Sequence, residues 1–141
     1  MIVLDTNVVS ALMLRQPPHA VRDWLDRQLP DAVWTTALTV FEIRLGLARF
    51  DLGVRRSSLE AGFATLLHER LESRVLDLDA EAGTRAAALS AARLRAGRVQ
   101  DYADTLIAGI VSARGATLAT RNVRHFPDIP TVDPWQVAAP S

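Results

Sequence analysis

Along the chain, short apolar or β-branched runs alternate with longer stretches whose apolar residues recur at helical spacing. The runs are Ile2–Leu4, Val33–Thr35, Arg74–Leu76 and Thr117–Ala119, with a weaker one at Thr131–Val132. They are short and lack period-two alternation, as expected of strands buried on both faces of a parallel sheet. Six helical stretches are predicted between them. Asn7–Leu14 is stopped by Pro17 and Pro18, and His19–Leu29 by Pro30. Leu38–Asp51 carries Val40, Phe41, Ile43, Leu47 and Phe50, with Gly53 expected to close it. Leu59–Glu72 carries Phe63, Leu66, Leu67 and Leu71. Ala80–Ala96 is rich in alanine, the strongest helix former, and ends at Gly97; Gln100–Ala113 ends at Gly115. The closing VDPWQVAAP reads as an edge element with Trp135 packed back on the body.

The order β-α-α-β-α-α-β-α-α-β argues for an α/β fold of three layers around a mostly parallel sheet. A chain of 141 residues matches one domain with a proper core, here residues 1–141. There is no run of eighteen apolar residues, so no membrane span is expected. The first residues lack the basic region of a secretory signal, and cysteine is absent. Both features fit a cytoplasmic protein, and the second rules out disulfides and thiolate metal sites.

Formal net charge is zero, which argues against a nonspecific polycation binder. All sixteen basic residues are arginine. A GC-rich genome is one explanation, but arginine is also the better phosphate ligand, and a neutral total leaves room for a local basic groove.

The chemistry concentrates in three acids. Asp5 ends the first strand, at the edge where open α/β sheets bind ligands; it reads equally well as a helix cap. Glu42 sits among Val40, Phe41 and Ile43, about one turn into the helix after VWTT. Taken alone it is an ordinary surface glutamate, but its place puts it near the same edge. Asp104 precedes the buried face of Ile107, Ala108, Ile110 and Val111, and Asp101 lies three residues earlier on the same helix face. The two together read as a capping box, or as a cap (Asp101) and a ligand (Asp104). Thr120 and Asn122 fall just past the fourth strand and suit either turn chemistry or hydrogen bonds to a bound water or phosphate. His125 alone reads as a structural or surface residue. Three carboxylates converging on one sheet edge, with no thiols, predict an oxygen-ligated divalent cation.

These pieces carry a resemblance. MIVLDTNVVS, TALTVFEIRLGL, DTLIAGIVSARGATLATRNVRHF and VDPW, in this order and spacing, resemble the PIN-domain ribonucleases, in particular the VapC toxins and among them the FitB-like subgroup. The resemblance runs from residue 1 to about residue 135. It implies a five-stranded PIN fold and a Mg²⁺-dependent endoribonuclease, with Mn²⁺ the alternative metal, that acts as the toxin of a type II toxin–antitoxin pair. Its core acids would be Asp5, Glu42 and Asp104, with Thr6 as the small hydroxyl residue after the first aspartate. Hydrolysis would leave a 5′-phosphate and a 3′-hydroxyl. A VapB-like antitoxin, a homodimer, and DNA contact only through the antitoxin are also implied. Many family members have a fourth acid where this chain has Asn122 or His125. That departure leaves a second reading, a PIN-like module that binds an antitoxin without cleaving RNA. A small metal-dependent phosphatase is a third.

Overall fold

In the computed structural model, which describes residues 1–137, all five expected strands form one sheet. They are β1 (Ile2–Leu4), β2 (Val33–Thr36), β3 (Val75–Leu76), β4 (Thr117–Ala119) and β5 (Thr131–Val132), in the order β3-β2-β1-β4-β5. Every pairing is parallel, so "mostly parallel" becomes wholly parallel. β1 is central. Val3 lies opposite Trp34 on one side and Leu118 on the other.

The helices are α1 (Thr6–Leu12), α2 (His19–Asp26), α3 (Ala37–Ala48), α4 (Val54–Thr65), α5 (Ala80–Arg95) and α6 (Tyr102–Ala113). Side chains alternate across β1. Leu4 joins the cluster of Val8, Trp24, Ile43 and Phe63, beneath α1 to α4. Val3 joins that of Ala82, Ile107, Ile110 and Leu118, beneath α5 and α6. These two cores are the reason for the three layers: each face of a central parallel strand needs apolar cover, and helices supply it. α1 and α3 follow β1 and β2 directly, and α6 leads directly into the amino end of β4, so all three begin at the carboxyl edge of the sheet.

Several boundaries differ from those expected. α3 ends at Ala48, and Gly53 instead heads α4. α4 begins at Val54, five residues before the apolar pattern, because the one apolar residue of its first turn, Val54, faces water. Its end is a π-helical turn at Leu66–Arg70, where the Leu71 amide reaches the Leu66 carbonyl at 2.9 Å. Gly115 (φ +60°) takes the left-handed conformation that ends α6. Short 3₁₀ turns at Pro30–Ala32 and Val123–His125 lie outside the apolar patterns altogether. Trp135 is partly buried against the α1–α4 core, as expected, and stacks under the Arg121 guanidinium at 4.7 Å. The last part of the expected edge element, residues 138–140, lies outside the described residues.

Candidate active site

Asp5 follows β1 directly and is 4% exposed. Its amide donates to the Ala119 carbonyl at 2.9 Å, which fixes the backbone at the sheet edge. Three donors hold its carboxylate: the Thr6 amide at 2.8 Å, the Thr120 hydroxyl at 2.7 Å and the Asn7 side-chain amide at 3.3 Å. The cap and the strand-end acid are thus the same residue. A carboxylate offers about four acceptor directions, so roughly one remains free. Burial pushes its pKa above the ordinary 3.8, the three hydrogen bonds pull back, and the charge of Asp104 raises it further.

Glu42 is tied to this centre through the Thr6 hydroxyl, which donates to its Oε1 at 2.8 Å. The same hydroxyl lies 3.2 Å from that of Thr39, a fully buried residue whose amide donates to Thr36, the cap of α3. Thr6 therefore couples α1 to α3, while Asn7 couples α1 to the loop after β4. Asn7 donates to Thr120 at 3.3 Å and accepts from the Arg121 amide at 3.1 Å.

Asp104 stands in the first turn of α6. Asp101 caps that helix, accepting from the Asp104 amide at 3.1 Å. The Asp104 carboxylate does not answer within the cap; it meets His125 Nδ1 at 3.2 Å. Burial and the charges of Asp101 and Glu42 raise its pKa, and the His125 contact opposes them. Asn122 is exposed. Its amide donates to the Thr120 hydroxyl at 3.0 Å, so that hydroxyl gives its proton to Asp5 and receives two.

Asp5, Thr6, Glu42 and Thr120 thus form one bonded group, while Asp104 is linked to it through charge alone. Among the described residues, no three His, Asp or Glu side chains stand close enough to hold an ion between them as they are. Magnesium needs no such cage: it keeps several waters and takes only one or two protein carboxylates. The donors here are carboxylates and hydroxyls, and Asp5 and Asp104, each pushed up by a neighbouring acid, gain from a cation. On these grounds the residues fit Mg²⁺ or Mn²⁺.

Three residues matter more than their sequence context indicated. Asn7 orients Asp5, His125 meets Asp104, and Arg93 anchors the loop that carries His125. Arg93 is 6% exposed and pairs twice with Asp128, at 2.8 and 3.0 Å. It also donates to the Thr105 hydroxyl at 2.9 Å, and its contact with the His125 carbonyl is longer, 3.4 Å. A signal for it exists: Arg93 falls in step with Ala82, Ala86 and Leu89, the inner face of α5. A cleft of about 440 Å³ opens beside Asp104, walled by Arg98, Gln100, Asp101, Arg124 and His125. Asp5 and Glu42 lie outside it.

Comparison with known proteins gives a consistent picture. The model for the PIN domain matches residues 2–131. The chain is 36% identical to VapC ribonuclease Y4jK of Sinorhizobium fredii, over 98% of this chain and all of that protein. It is 32% identical to toxin FitB of Neisseria gonorrhoeae, over 96% of this chain and 99% of that one. Among solved structures, FitAB bound to the IR36 DNA fragment superposes with a TM-score of 0.87 at 30% identity, covering 99% of each chain.

Proposed function

The chain belongs to the PIN-domain family, and we propose that it is an endoribonuclease toxin that hydrolyses RNA phosphodiester bonds with a divalent cation. The observation that carries the reading is the Asp5 carboxylate: buried at the carboxyl edge of the sheet, fixed by three donors, and within electrostatic reach of Asp104. A carboxylate costs stability when buried, so an arrangement that keeps one there beside another acid points to a cation as its partner. The matched ribonuclease and toxin span nearly the whole chain, which supports the same activity.

Asp5 and Asp104 would hold Mg²⁺ or Mn²⁺, with Glu42 beside them. When bound, the cation supplies an acidified water and charge neutralisation at the phosphate. The chain does the rest. The three donors on Asp5 favour its charged form and hold it in one orientation. The Thr6 hydroxyl occupies Glu42 Oε1, which leaves Oε2 to accept a hydrogen bond from the attacking water and aim it. Arg98 and Arg124, beside Asp104 and without ion-pair partners among the described residues, would hold the RNA backbone.

A partner is also proposed. Phe41 (62% exposed) and Leu45 (42%) lie four residues apart on the outer face of α3, an uncovered apolar pair that an antitoxin or a second copy of the chain would cover. The FitAB complex on DNA supports the antitoxin, and it supports DNA contact through that partner. No helix among the described residues is long and apolar enough to cross a membrane.

The test is cleavage of a total RNA pool with Mg²⁺, with EDTA and with Asp104→Asn. Discrete fragments that vanish in both controls support the nuclease. One observation favours the second reading, the non-cleaving module: the acids do not form a ready cage. Calorimetry with Mg²⁺ decides between them, since weak or absent binding favours that module.

A further inference from the structure

Gln100 occupies the turn between α5 and α6, at the wall of the cleft beside Asp104. One end of its amide is satisfied: the Ser90 hydroxyl lies 2.7 Å from Oε1. The other end, Nε2, is buried and has no hydrogen-bond partner, the one such side-chain atom among the described residues. Rotating the amide by half a turn would only exchange which end is left over. Buried polar groups are otherwise paired throughout the site, so an amide end left unpaired at a cleft wall marks a place where a ligand group completes the set.

The rest of the cleft identifies that ligand. Arg98 flanks Gln100 on the same turn, and Arg124 faces it from the 3₁₀ turn after β4. Neither forms an ion pair with a carboxylate among the described residues, whereas Arg93 at the same wall is held by Asp128. Two free guanidiniums call for phosphate oxygens. The Val99 side chain is fully exposed at the rim, and a flat apolar surface there suits a base or ribose face. A volume of about 440 Å³ lies within the range of small-ligand pockets.

We propose that this cleft is a nucleotide subsite for the RNA strand next to the scissile phosphate, with Arg98 and Arg124 gripping phosphate and the Gln100 amide reading the edge of one base. The inference rests on the nuclease reading above and deepens it. The acids break the strand, and the α5–α6 turn selects where. Single-stranded RNA is read in this way, through splayed bases hydrogen-bonded on their edges.

Two variants and one binding probe test it, each checked first for an unchanged melting temperature. On an RNA fragment cleaved by the wild type, Gln100→Ala should raise KM roughly tenfold and relax the base preference at one position, with kcat little changed. Arg98→Ala should lower the salt dependence of KM by about one phosphate contact at every sequence, and Arg98→Lys should restore it in part. The probe is a nucleoside 5′-monophosphate series, titrated by calorimetry without metal. Wild-type binding that Arg98→Ala abolishes supports the subsite even if RNA is not cleaved, in which case only the nuclease reading falls. Active enzyme whose KM, salt slope and cleavage pattern are untouched by both variants overturns the subsite and leaves the nuclease standing. Variants that alter only inhibition by an antitoxin also overturn it, and assign the cleft to that partner. A wild type that neither cleaves nor binds a mononucleotide overturns both.

Discussion

At the scale of residues, catalytic competence depends on neighbours as much as on acids. Thr120 illustrates this. Its buried hydroxyl donates to Asp5 and accepts from the Asn7 side chain and the Asn122 backbone amide. Thr120→Val keeps the shape and removes the strongest hydrogen bond to the Asp5 carboxylate. Loss of such an orienting partner typically costs 10–100-fold, so RNA cleavage measured at saturating Mg²⁺ should fall by about that factor while the fold persists. Asp128 supplies a pH prediction away from the acids. The Arg93 guanidinium beside it holds its pKa below the ordinary 3.8. A carboxylate lowered on folding contributes stability above its unfolded pKa and loses that contribution as pH falls through the folded one. The wild type should therefore lose stability steeply below about pH 4. Asp128→Asn should start roughly 1–3 kcal/mol lower at neutral pH and fall less steeply, as read from urea unfolding at several pH values. An identical slope in both would contradict it.

The three acids were visible in the sequence because each sits at a junction that pattern alone can place: a strand end, a helix's second turn, a helix start. Their supports were not. Asn7 in DTN reads as any residue in a first helical turn, and nothing local shows that its amide spans to Thr120 and Arg121, more than a hundred residues later. His125 reads from the sequence as a structural or surface residue for the same reason: its partner, Asp104, lies twenty-one positions away.

At the scale of elements, apolar spacing found every strand and helix and misplaced ends where burial is absent. α4 starts ahead of its apolar pattern because Val54, Arg55 and Ser57 of its first turn are exposed. Gly53 was assigned to the wrong helix because a glycine between two helices punctuates both. The pairing of α5 with α6 was not visible at all, since it depends on what is missing. Gly109 faces α5 so closely that a Cβ there would lie 2.6 Å from the Ala82 carbonyl oxygen and 2.6 Å from the Ala86 methyl. Backbone contacts of that kind cannot relax by a side-chain rotation. Gly109→Ala should therefore destabilise by roughly 1–3 kcal/mol despite its gain in helix propensity, with the midpoint of urea unfolding as the readout. A neutral or stabilising effect would mean that the two helices have room to separate. The same contact positions the catalytic side, because α5 carries Arg93, and Arg93 ties down the loop of His125.

At the scale of the molecule, the parallel sheet explains why one edge gathers all the chemistry. The β1–α1 and β2–α3 junctions, the start of α6 and the loop after β4 all lie at the carboxyl end of the strands, and residues from positions 5, 42, 104 and 120 gather there. The cost of this assembly is electrostatic, since Asp5 and Asp104 each raise their pKa by burial and by neighbouring acids. Removing one charge should relieve it. Without metal, Asp104→Asn should melt no lower than the wild type, and added Mg²⁺ should raise the melting temperature of the wild type alone. The central claim is that these acids serve RNA hydrolysis, and the most direct measurement is cleavage of total RNA by the wild type and by Asp5→Asn, with and without Mg²⁺. Discrete metal-dependent fragments from the wild type, and none from a folded Asp5→Asn, are the predicted result. Equal cleavage by both proteins, or cleavage that survives EDTA, would contradict it.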